Sequence, residues 1–145
     1  MKKILFLLSA CTLLACGGNS PRDIDEREGA KTLAAAREAC QNRQFDAARD
    51  SIMSLRQNHP LAMDARRQGI LLLDSIELFA AQDSFVQLNN LAQEQYMKCL
   101  DDPEAPLFLD SATYVDEHER LEVKIQFFER KLEEDKKKNK ITNPE

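Results

Sequence analysis

After residue 29 this chain contains one glycine, Gly69, out of four in the whole sequence. Tight β-hairpins and phosphate-cradling loops both depend on glycine backbone, so neither has material here. Ala, Leu, Glu, Lys, Arg and Gln are plentiful instead, and these are strong helix formers. Apolar residues recur every three or four positions, which is the period of a helix with one buried face. The fold class is therefore expected to be all-α: antiparallel helical hairpins followed by a long C-terminal helix. The 145 residues suit one domain with a core of its own. A net charge of −5 argues against nucleic acid as a partner, because phosphate binding needs a basic patch.

Along the chain, Ser20, Pro21 and Asp23 carry helix-start chemistry, but Gly29 weakens the segment, so residues 16–29 are expected to be tether and a firm helix to begin near Ala30. Leu33, Ala36, Ala39 and Cys40 form its apolar positions. A break at 42–45 leads to a second helix carrying Ala48, Ile52 and Leu55, which stops before Pro60. A third helix is expected over 61–81, with a wide stripe including Ala65, Gly69, Leu72, Leu73, Ile76 and Phe79. Asp83 or Ser84 then caps a fourth to about residue 100, so that 30–100 forms a hairpin domain. Residues 101–110 hold Pro103 and Pro106 and read as a loop, packed down by Leu107, Phe108 and Leu109. The last helix covers 111–138, and 139–145 is expected to be a disordered tail. In that helix Tyr114, His118, Leu121, Ile125, Phe128 and Leu132 are spaced four, three, four, three, four, a heptad seam.

The N-terminus has its own pattern. Lys2 and Lys3 precede a twelve-residue apolar run, 4–15, which is too short for a bilayer span of about 20 residues. Leu13, Leu14, Ala15 and Cys16 then resemble the lipobox of bacterial lipoproteins. That resemblance implies a signal peptide at 1–15 and a Cys16 thiol carrying diacylglycerol. Cys11 would leave a very short apolar run, which favours Cys16. Gly17, rather than Asp, after the cysteine implies sorting to the outer membrane of a Gram-negative envelope. The lipid bilayer, through acylated Cys16, is then one expected partner.

Residues 30–60 resemble one tetratricopeptide-type hairpin, through Ala36, Ala48, Ile52, Pro60 and the turn Arg43, Gln44, Phe45, Asp46. Thr32, Ala35 and Ala39 depart from the bulky residues typical of that family. Gln82 and Glu94, one 34-residue period after Ala48 and Pro60, do not continue the repeat. A generic helical hairpin accounts for the same residues. The family implies protein or peptide binding.

No motif for catalysis, metal or cofactor binding was found, so no enzyme activity and no cofactor are expected. The acidic run 23–28 opens like a calcium loop but lacks the sixth-position glycine and the twelfth-position acid. His59 is expected as a solvated turn residue and His118 as a packed imidazole. Cys40 and Cys99 lie on apolar stripes and are a candidate disulfide pair, with two buried thiols as the alternative. The expected function is a membrane-anchored interaction or scaffold module that binds an unknown envelope protein. The alternatives are a self-associating spacer, in which a second copy pairs through the seam, and a small-ligand carrier or enzyme.

Overall fold

The computed structural model describes residues 20–142, with side chains to residue 138. The expected leader at 1–15, Cys16 and residues 17–19 lie outside the described residues, as do 143–145. The described chain is all-α, in four helices: α1 Pro21–Gln41, α2 Phe45–Asn58, α3 Met63–Asp101 and α4 Ser111–Thr142.

α1 begins nine residues earlier than expected. Ser20 and Asp23 form a reciprocal capping box: the Asp23 N–H donates to Ser20 Oγ at 3.2 Å and the Ser20 N–H to Asp23 Oδ2 at 3.1 Å, with Pro21 in the first turn. Gly29 is not a weak point. A Cβ built there would lie 2.6 Å from the Ala62 Cβ, so α1 crosses the α2–α3 turn closely enough to require glycine. Residues 21–29 are thus helix rather than tether.

α1 ends in a Schellman-type cap. The Arg43 N–H donates to the Cys40 carbonyl at 3.1 Å and the Gln44 N–H to the Ala39 carbonyl at 2.9 Å. Arg43 has φ 59°, a left-handed position usually given to glycine. α2 then returns antiparallel to α1. The two cross where Ala36 and Ala48 are fully buried, and Leu33, Ile52 and Leu55 fill the space beside them.

The expected third and fourth helices are one helix, α3, of 39 residues and about 58 Å. The signals taken for a new start are used otherwise. Ser84 Oγ donates back to the Ala80 carbonyl at 2.9 Å, and the Asp83 carboxylate accepts from Arg43. α3 is apolar on two opposite sides. Ala65, Gly69 and Ile76 fall on one side and close the hairpin core with Leu72 and Leu73. Ala81 and Leu88 fall on the other and meet Leu121 of α4, with Phe85, Tyr114 and Ile125 around them. A single stripe would bury one face; α3 is the spine between two neighbours and buries two.

The loop at 102–110 is closed by Gln95. Its Oε1 accepts the N–H of Phe108 at 3.0 Å and of Leu109 at 2.7 Å, and its Nε2 donates to the Leu109 carbonyl at 2.6 Å. Only Leu109 packs inward; Leu107 and Phe108 are exposed, contrary to expectation. Asp110 caps α4 by accepting from the Thr113 N–H at 2.9 Å. α4 runs antiparallel to α3 and continues to Thr142, so 139–142 is helix and not tail.

Candidate functional site

The heptad seam lies against α3 of the same chain. Tyr114 Oη donates to Asn89 Oδ1 at 2.9 Å, Leu121 is buried against Ala81 and Leu88, and Ile125 packs beside it. The His118 ring sits between Phe85, at 4.6 Å, and Tyr114, at 5.5 Å, as the packed imidazole the sequence implied. Phe128 and Leu132 continue the seam, half-buried. As a surface for a partner, Tyr114, His118, Leu121 and Ile125 are already occupied by α3.

The cysteines do not pair: Cys40 and Cys99 are both free thiols. Cys40 lies at the end of α1, sharing a cleft with Phe79 and Val86, and Cys99 lies thirteen residues further along the straight run of α3, about 20 Å. A disulfide bridges Cα atoms less than about 7 Å apart. Burial pushes the Cys40 thiol above its ordinary pKa, which keeps it protonated and inert.

A charged cleft of about 620 Å³ opens where the hairpin, α3 and α4 meet. Its walls come from the start of α2, residues 80–87 of α3 and the first half of α4. Glu77 beneath it joins three helices: Oε1 accepts from Arg49 Nε of α2 at 2.5 Å and Oε2 from Lys124 Nζ of α4 at 2.8 Å. The hydrogen bond from Arg49 is the main reason the Glu77 carboxyl lies below its ordinary pKa, against a burial cost that raises it. The same bond raises the Arg49 guanidinium. Arg43 with Asp83 and Arg120 with Glu117 add further pairs at the rim. Each cation of the cleft already has an acid, so the cleft presents alternating donors and acceptors rather than a field of one sign.

A second polar cluster sits at the opposite end of the hairpin, and the sequence reading missed it. His59 is half-buried rather than solvated. Its Nδ1 lies 3.0 Å from Asp25 Oδ1 and its Nε2 3.4 Å from Thr32 Oγ1. Asp25 Oδ2 also accepts the Leu61 N–H at 2.6 Å. Burial raises the Asp25 carboxyl, but the bonds from His59 and Leu61 outweigh it and hold the pKa below the ordinary carboxylate range. Glu26 next door accepts the N–H groups of Ala65, at 2.7 Å, and Asp64, at 3.2 Å. α3 has no capping side chain of its own, so an acid from α1 caps it across space. The order threonine, histidine, aspartate has the outline of a nucleophile, base and orienting acid. The Thr32 hydroxyl, however, is within 3.3 Å of the Glu28 carbonyl of its own helix, and neither cleft described above opens onto it. The arrangement is a lock between α1 and the α2–α3 turn. The signal available in the sequence is the adjacent acid pair Asp25, Glu26 within the acidic run 23–28.

No three His, Cys, Asp or Glu side chains gather as a metal-holding group among the described residues, and no helix there is long and apolar enough to cross a membrane. No protein-family model, no curated protein and no solved structure matches the chain.

Proposed function

We propose that this chain is a lipoprotein, anchored in the outer membrane of a Gram-negative bacterium through acylated Cys16, whose helical domain binds a partner protein. The lipobox-like residues 13–16 support the anchor. The observation that carries the binding role is the open, charge-alternating cleft at the junction of hairpin and arm. A paired, wide and polar groove suits a polypeptide, which brings donors and acceptors of its own. Rim charges steer such an encounter more than they hold it. Tyr114, Leu121 and Ile125 of the seam pack on α3 and His118 lies against Phe85, so self-association through those four residues would require α4 to leave α3 first.

The test is site-specific photocrosslinking in intact cells from Gln87 and Arg120, which line the cleft, and from Arg56 on the outer face of α2. One discrete adduct from the first two positions, absent from the third and lost with Lys124→Glu, is the expected result. Identical patterns from all three positions would remove the cleft from consideration. Replacing Cys16 with Ser is expected to abolish acylation and membrane retention, and retained, acylated protein would show that another cysteine is used.

A further inference from the structure

The helix order gathers three chain ends at one pole of the molecule. α1 starts there, α2 ends there, and α3 starts there after the turn at 59–62. α4 runs back toward it, as the pairs Tyr114 to Asn89, Lys124 to Glu77 and Lys131 to Asp74 show. Ile24, Leu61 and Met63 are exposed at this pole, at 44%, 48% and 53%. Arg22 and Arg67 are exposed beside them, and Arg66 is half-buried with Nη1 donating to the Pro60 carbonyl at 2.8 Å. Two of the four nearby acids are already engaged inward: Asp25 by His59 and the Leu61 N–H, Glu26 by the first turn of α3. Asp23 is held in the capping box. Asp64 remains exposed.

We infer that this pole rests on the lipid surface, with Leu61, Met63 and Ile24 in the headgroup layer and Arg22, Arg66 and Arg67 against lipid phosphates. The inference rests on the reading of Cys16 as the anchored residue. Three residues separate Cys16 from Ser20, and the four Cα-to-Cα steps reach about 14 Å at full extension. That reach keeps the start of α1, and with it the turn at 59–62 that Asp25 binds, within headgroup distance, whereas the far end of α3, a helix of about 58 Å, is under no such constraint. Apolar side chains flanked by arginines at such a distance match an interfacial surface, where the aliphatic parts enter the acyl boundary and the guanidinium groups stay at phosphate depth. The lock formed by Asp25, Glu26 and His59 joins the α1 start and the α2–α3 turn into one surface, so contact of that surface with lipid would orient the whole domain.

The chain has no tryptophan, so single substitutions report cleanly. The full lipidated protein is reconstituted into vesicles of phosphatidylethanolamine and phosphatidylglycerol as the variants Leu61→Trp, Met63→Trp, Tyr96→Trp and Leu107→Trp. The expected result is blue-shifted emission, quenched by brominated acyl chains, at 61 and 63, with solvent-like emission at 96 and 107. Unquenched emission at 61 and 63 in vesicle-bound protein would overturn the inference and leave the anchor standing. A blue shift without bromine quenching means a protein covers the pole, and equal quenching at all four positions means the domain lies flat; either overturns it too. Mass spectrometry of the same samples checks Cys16 separately, and an acyl-free Cys16 in floating protein would remove the anchor reading and the inference with it.

Discussion

On the side of α3 that faces the hairpin, Ala65, Gly69 and Ile76 meet Leu33, Ala36, Ile52 and Leu55. On the side that faces α4, apolar contact is confined to Ala81, Leu88, Leu121 and their half-buried neighbours, and polar groups do the rest. Asp74 takes Lys131 at 2.6 Å, Glu77 takes Lys124, and Asn89 takes Tyr114. The hairpin side is held by close packing, the arm side by a thinner core with ion pairs laid over it. The difference matters because packing is indifferent to salt and pH, and ion pairs are not. The hairpin should behave as the stable unit and the arm as the part that opens first.

The largest test of that contrast is truncation in the two cores. Leu55→Ala removes a side chain with no exposure at the hairpin centre and is expected to cost about 3–5 kcal/mol, unfolding the domain as a whole. Leu121→Ala, at 5% exposure in the smaller core, should cost about 2–3 kcal/mol and mainly raise amide exchange in α4 and the far half of α3. Denaturant titration with residue-resolved exchange reads both, and equal exchange across the two halves would dissolve the distinction.

Gly29→Ala tests how tightly the hairpin side is built. Helix propensity favours alanine by about 1 kcal/mol. The methyl would meet the Ala62 Cβ at 2.6 Å, and neither group has a torsion to turn away with. A net loss of about 1–2 kcal/mol is expected in thermal melts, and a gain would mean α1 can slide on the turn.

Acid should act on both sides, because Glu77 joins α4 to the hairpin and Asp25 belongs to the hairpin's own lock. Glu77 and Asp25 both have pKa values below the ordinary carboxylate range in the folded chain. Their contribution is therefore present above the unfolded values, near 4, and is lost as pH falls through the folded ones. Melting temperature should drop between about pH 5 and pH 3, and Glu77→Gln should flatten part of that drop while lowering stability at neutral pH. A pH profile identical to that of the native chain would show that the three-helix ion pair contributes nothing.

The smallest expected effect runs the other way. Asp74 is 5% exposed and its Oδ2 has no hydrogen-bond partner, while the Lys131 side chain is 42% exposed and can return to water. Asp74→Leu is expected to raise stability by about 1 kcal/mol, since the buried carboxylate costs more in lost hydration than its single bond returns. A loss in urea titration would show that the pair holds the register of α4 on α3.

Much of this architecture was legible. Helical spacing located α2, the loop at 101–110 and the core positions Ala36, Ala48, Ile52 and Leu55. The boundaries failed where local chemistry has two uses. Gly29 reads as a helix breaker in isolation and as a close-approach site beside Ala62. Ser84 reads as a cap and serves as a back-bonding hydroxyl inside α3. Asp25 and Glu26 read as part of an acidic run and instead bind His59, Leu61, Asp64 and Ala65, partners more than thirty residues away. The cleft was invisible because its residues come from three helices.

By itself the sequence determined the helices, their apolar faces and the lipobox-like pattern at Cys16, because periodicity, composition and short-range spacing are local properties. Only the tertiary structure decided that 63–101 is one spine with two buried sides, that Tyr114, His118, Leu121 and Ile125 of the seam pack on α3, and that Cys40 and Cys99 lie apart. Those depend on which face meets which neighbour, and the free energy of that choice comes from surfaces distant in sequence being removed from water together.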